Sequence, residues 1–259
     1  MVGHTDESGV TIPPLHSRCR CAIMYREIGT PRVMQPKPRN GRMSAESDIP
    51  QWTSRDKSRI ISKDDYAKLR TLAEANGIVL IGVKNFDGSA QVVHEIIETL
   101  GTLIKKFPAV SDSRHKLELE MSILLNAQDY AETVGRKIKL NAAAYRDVNL
   151  LTKEYQKDVA DGWFVKGTTW RSIIHHEFGH VVSNMYKLKP LKIACEITEL
   201  KSNATLDYIT DNLSLYAGKF SNGQEIIAEV FADISTGNPC GFSRKFYEKI
   251  LELTRGNKR

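Results

Sequence analysis

The stretch His176-Glu177-Phe178-Gly179-His180 carries the strongest chemistry in this chain. Residues four apart share one helix face, with Cβ atoms about 6 Å apart, so His176 and His180 can grip one metal ion. Glu177 sits one position on, placed to lean over a metal-held water rather than to bind the metal. Zinc with two imidazoles, one further protein ligand and an open position is the arrangement of a catalytic site. There the metal lowers the pKa of its water to about 7 and polarises a carbonyl. A neighbouring carboxylate takes the water's proton and delivers it to the leaving amine. The competing reading is a pair of ordinary core or surface histidines. Ile173, Ile174, Phe178, Val181 and Val182 give the motif the apolar flanks of a buried helix. Thr168 or Thr169 is the expected N-cap. Gly179 costs that helix roughly 1 kcal/mol relative to Ala, and its bare backbone lets another element approach closely.

A third ligand is needed. The positions three and six beyond His180 hold Ser183 and Tyr186, which excludes the metzincin pattern. His94 and His115 lie upstream in segments that need no metal to explain them, and no histidine follows His180. The stretch Gln224 to Asp233 instead places Glu225, Glu229 and Asp233 four apart, an acidic stripe on an otherwise strongly apolar helix. Carboxylates on such a helix call for a partner or a metal. A solvated face is the plainer alternative, although like charges at that spacing are mildly destabilising. Glu225 is the first choice as ligand, with Glu229 hydrogen-bonding a metal-bound histidine from behind. Glu229 as ligand with Asp233 behind it is the variant.

His-Glu-Phe-Gly-His, then Tyr216-Ala217-Gly218, then Glu225-Ile226-Ile227-Ala228-Glu229-Val230-Phe231 resembles the catalytic domain of the anthrax lethal factor family and related gluzincin domains of phage and mobile-element proteins, over roughly residues 115–235. The resemblance implies a zincin-like α+β metallopeptidase domain: a small mixed sheet, an active-site helix and a second ligand-bearing helix. It implies Zn2+ held by His176, His180 and Glu225, Glu177 as general base and Tyr216 as oxyanion donor. The spacing from tyrosine to glutamate is about two residues longer than the family's, and Tyr208 is the alternative donor.

The elements that must position these residues are legible in outline. Ser62-Lys63-Asp64-Asp65 reads as a helix start, with Gly77 as its stop. Ile78 to Val83 suits a buried strand, and Val92, Val93, Ile96, Ile97, Leu100 and Leu103 repeat with helical period. Leu117 to Leu124 and Lys137 to Leu140 read as strands. Lys137-Ile138-Lys139-Leu140-Asn141 is the candidate edge strand beside the site, where an extended substrate could pair. Leu151 to Val159 reads as a short polar helix stopped by Gly162, and Phe242 to Leu253 as a closing helix. Residues 61–259 are thus expected to form one α+β domain.

Residues 1–60 are expected to be a flexible linker, broken by Pro13-Pro14, Pro31, Pro36, Pro38 and Pro50. They carry ten Lys/Arg against six acids, so most of the net charge of +6 lies there. A solvated linker explains this basic segment; contact with nucleic acid through it is a weaker reading. Within it, Pro13-Pro14-Leu15-His16-Ser17-Arg18-Cys19-Arg20-Cys21 resembles the closing motif of phage head morphogenesis proteins of the Mu minor head type, with Ser17 where a proline is common. His16, Cys19 and Cys21 could otherwise form a small metal clip, but a fourth ligand is lacking. There is no long apolar run for a membrane span and no signal-peptide pattern. Cys19, Cys21, Cys195 and Cys240 read as free thiols. The expected function is therefore a zinc metallopeptidase acting on a protein or peptide, phage head proteins included. It is expected in the bacterial cytoplasm or on a virion, without a membrane or nucleic-acid partner. The alternative is a virion-associated structural module with a non-catalytic zincin fold.

Overall fold

The computed structural model describes residues 60–255 and, ahead of them, His4–Thr5 (β1) and Thr11–Ile12 (β2), which pair antiparallel. The rest of the basic segment, including His16, Cys19 and Cys21, lies outside the described residues.

Ser62 opens the first helix, α1 (Lys63–Ala75), as its pattern predicts. Its hydroxyl accepts the Asp65 N–H at 3.0 Å, and Asp64 and Asp65 place negative charge on the first turn. Gly77 turns the chain at φ +76°, leading into β3 (Ile78–Ile81). The apolar stripe of α2 (Ala90–Lys106) is buried, and α2 carries the chain over to β4 (Leu117–Ser122), parallel to β3. A parallel pair needs such a crossover. β5 (Ala131–Val134) and β6 (Lys137–Asn141) form an antiparallel hairpin across Gly135-Arg136, with Gly135 at φ +61°. β6 runs parallel to β4, so the order across this small mixed sheet is β3-β4-β6-β5.

This order corrects the edge-strand expectation. Lys137–Asn141 is an interior strand, and the edge is β5, which the sequence pattern does not single out. Alternation reports which face of a strand is buried, not whether it has one neighbour or two. β5 is only four residues long, and its inward positions are Ala131 and Thr133, too small and too polar to register as an apolar strand.

Helices follow: α3 (Ala142–Tyr145), α4 (Val148–Ala160), α5 (Ser172–Tyr186), α6 (Pro190–Thr198), α7 (Ser202–Asn212), α8 (Leu215–Gly218), α9 (Gln224–Ile234) and α10 (Gly241–Arg255). Asn141 caps α3, accepting from Ala143 N–H at 3.2 Å, and its amide holds the Asp129 carbonyl at 2.8 Å. Asp147 caps α4. The motif helix α5 starts later than the Thr168/Thr169 expectation. Thr168 instead donates to the Val165 carbonyl at 2.6 Å, closing the preceding loop, and Arg171 precedes the helix in helical conformation. One apolar core runs from Ile61 to Ile250, so the described chain is an α+β unit. Cys195 and Cys240 are free thiols. No described helix is long and apolar enough to cross a membrane.

α5 and α9 form the most extensively packed helix pair. At Gly179 an added Cβ would lie 2.9 Å from Ala228 Cα and 3.1 Å from the Ile227 carbonyl oxygen. Both are backbone atoms, so a methyl group cannot be absorbed by a rotamer change. Gly179→Ala would gain about 1 kcal/mol in helix propensity, yet overpacking against backbone costs about 1–3 kcal/mol. The variant is expected to have a lower thermal midpoint and weaker metal binding, measured by calorimetry with and without added zinc.

Candidate metal centre

One helical turn separates His176 from His180 on α5, and their rings meet edge to face with centroids 5.0 Å apart. α9 crosses behind them and presents Glu225. Its Oε2 lies 3.3 Å from His176 Nε2 and 3.2 Å from His180 Nε2. All three residues are buried, and their ligand atoms lie within 4.8 Å of one another. Bonds of about 2.0–2.1 Å to a tetrahedral zinc imply ligand atoms about 3.3 Å apart, which is the spacing at both carboxylate–imidazole edges. His180 Nε2 and Glu225 Oε2 are fully enclosed without a hydrogen bond. Buried polar atoms left this way are costly unless something sits between them. The donor set therefore fits a zinc ion. Burial pushes the Glu225 carboxyl up, but the facing His180 and His176 outweigh it and hold it down to about 2.

Glu229, one turn further along α9, lies behind His176. Its Oε1 is 2.8 Å from His176 Nδ1, and its Oε2 accepts the Val165 N–H at 3.2 Å. The first contact turns the imidazole so that Nε2 faces Glu225; the second satisfies the remaining carboxylate oxygen with main chain. Asp233 does not join this group. Its carboxylate accepts the Cys240 N–H at 3.0 Å and ties the end of α9 to the start of α10. The stripe of three acids thus divides into three different tasks. The variant with Asp233 supporting Glu229 finds no counterpart in this geometry.

Glu177 is completely buried beside the two histidines. Thr133 of β5 donates to its Oε2 at 2.6 Å. Nearby, the Tyr145 hydroxyl is fully enclosed without a hydrogen-bond partner. Burial pushes its pKa well above the usual value, and Glu177 and Tyr155 push it further. A narrow cavity against His176 and Glu177 is walled by Tyr130, Tyr155, Phe164 and Ile173. Two of these rings, Tyr155 and Phe164, stack with centroids 5.0 Å apart.

Tyr216, on α8, is fully buried with its ring centroid 5.9 Å from that of His176. Main-chain pairing of Tyr216 N–H with the Trp163 carbonyl at 3.2 Å sets its position. Tyr208 is partly exposed on α7 and packs against Phe242 of α10. His175 is not part of the His176-His180-Glu225 group; burial, and then Lys106, lower its pKa to about 4. His94 and His115 stand near Glu98 and Asp112, respectively. Sequence reasoning missed two contributors, Thr133 and the Val165 N–H. A lone threonine and a main-chain amide carry no signal in one sequence.

Compared with protein-family models, curated proteins and solved structures, the chain matches none.

Two outcomes follow from this geometry. Elemental analysis of the purified protein is expected to show zinc lost in His180→Ala and Glu225→Ala and retained in Asp233→Asn. Chelator competition should show Glu229→Gln weakening zinc by about 10- to 100-fold. Separately, Lys219 lies over the Trp163 ring, its Nζ 4.7 Å from the centroid and without a hydrogen bond, and burial lowers its pKa to about 8. The unfolded chain keeps that proton up to its ordinary value of 10.5. Stability therefore rises with pH from about 8 to 10.5, because the unfolded state binds more protons there. Urea titrations of Lys219→Met are expected to lack that rise.

Proposed function

We propose that this protein is a zinc metallopeptidase of gluzincin type with a zincin-like fold, hydrolysing a peptide bond in a protein or peptide substrate. The observation that carries the reading is the convergence of His176, His180 and Glu225 in the interior with Glu177 at the adjacent position. Ionisable groups are rarely gathered in a core unless they are paired or hold a metal. The resemblance of the same residues to the lethal factor family supports it independently of the geometry.

His176, His180 and Glu225 would hold the zinc, which when bound supplies a lowered water pKa and a polarised carbonyl. Glu177 then takes the proton from the attacking water and passes it to the leaving nitrogen. Glu229 keeps the His176 ring in the tautomer that leaves Nε2 free for the metal. Tyr216 is the group beside His176 suited to donate to the developing oxyanion. The outer edge of β5, which pairs with no further strand among the described residues, is where, rather than on β6, an extended substrate would add. It runs directly over the helix that carries the base.

Glu177→Gln keeps the size of the side chain but cannot accept the proton. It is expected to retain about one zinc per chain, as the wild type does, and to lose turnover of a peptide library read by mass spectrometry. Tyr216→Phe is expected to lose about 10²–10³ in kcat. A fully active Glu177→Gln would refute the mechanism. Stoichiometric zinc with no cleavage by the wild type would favour a non-catalytic module, such as a virion-associated one, in place of the enzyme.

A further inference from the structure

We propose that Thr133 is a positioning residue for the base, orienting the Glu177 carboxylate from the edge strand; this rests on the peptidase reading above. Thr133 is buried on β5, and its Oγ1 lies 2.6 Å from Glu177 Oε2 and 3.2 Å from the Glu177 carbonyl oxygen. A hydroxyl has one proton to give. The carbonyl belongs to a helix interior, where it already accepts an intrahelical bond. The carboxylate is the nearer acceptor, and the shorter distance is that of a charge-assisted O–H···O⁻ bond. The proton therefore goes to Oε2.

The strand leaves no substitute for this contact. Along β5 the side chains alternate, so Ala131 and Thr133 face α5 while Glu132 and Val134 face away. Ala131 has no donor, and Glu132 lies 3.6 Å from Lys139 Nζ on the outer face. Position 133 is thus the one on this strand that can reach the base with a hydrogen-bond donor. Threonine also suits the position structurally. A β-branched side chain is stiff at χ1, so the hydroxyl is delivered at a defined place. Thr133 joins β5 to the base, which ties the base's orientation to the strand on which a substrate would pair.

Thr133→Val preserves shape and strand preference but removes the donor; Thr133→Ser keeps the donor. Both are to be compared with the wild type for zinc stoichiometry and for kcat and KM on a peptide that the wild type cleaves. Thr133→Val is expected to bind zinc as the wild type does. Its kcat should fall about 10²-fold with KM unchanged, the cost of a misplaced catalytic group. Thr133→Ser is expected to recover most of the loss. An undiminished kcat in Thr133→Val overturns the proposal. So does an equal loss in both variants, because that would reflect packing rather than the hydroxyl. Zinc loss in Thr133→Val assigns the residue to the architecture of the metal group and overturns it too. A wild type that binds zinc but cleaves nothing removes the peptidase reading, and this role with it.

Discussion

The near-contact of two helix backbones at Gly179 and Ala228 is the constraint on which the site depends. A Cβ at position 179 would meet the Ala228 and Ile227 backbone at 2.9 and 3.1 Å and press α9 away. Here the absence of a Cβ lets α9 come close enough for Glu225 to reach both imidazoles. Every other contact in the group assumes that approach. Glu229 can stand behind His176 only because α9 passes one turn further along the same face. A destabilising glycine in the middle of a buried helix is therefore part of the site's architecture, and its helix-propensity cost is offset by the packing it permits.

Burying this many ionisable groups is the second physical problem, and the protein meets it residue by residue. An enclosed carboxylate without partners would cost several kcal/mol. Glu229 spends its two oxygens on an imidazole and a main-chain amide. Asp233 takes an amide at the head of the next helix. Glu177 is met by a threonine from the sheet. Where His180 and Glu225 face each other, Nε2 and Oε2 are enclosed without a hydrogen bond, as are His180 Nδ1 and the nearby Tyr145 hydroxyl. The enclosed Nε2 and Oε2 are atoms that a cation could satisfy.

The sheet contributes in two ways that its small size conceals. It is the platform against which α5 is packed, through β5 and β6. Its edge strand also carries the hydroxyl that meets Glu177. The aromatic wall formed by Tyr130, Tyr155 and Phe164 closes the space on the other side of His176 and Glu177. Loops capped by Asn141 and Thr168 hold those aromatics in place. The site is thus assembled from strand, helix and loop together, although its His176-His180-Glu225 group lies on two helices alone.

Much of this was legible in the residues by themselves. His176 and His180 at one-turn spacing, Gly179 between them and the carboxylate stripe on an apolar helix are local patterns, and helix periodicity alone converts them into shared faces. The cap and stop of α1 and the apolar period of α2 are local in the same way. Three things were decided only by tertiary structure. Which acid faces the imidazoles depends on how α9 crosses α5, because the repeating spacing makes Glu225, Glu229 and Asp233 equivalent along their own helix. Which strand lies at the edge depends on pairing partners, and alternation cannot count neighbours, so β5 displaced β6. That Thr133 reaches Glu177 depends on a contact across 44 positions of sequence, made by a residue type that occurs on any strand. Local chemistry follows from spacing; the choice among equivalent residues follows from packing, because only packing determines what stands opposite them.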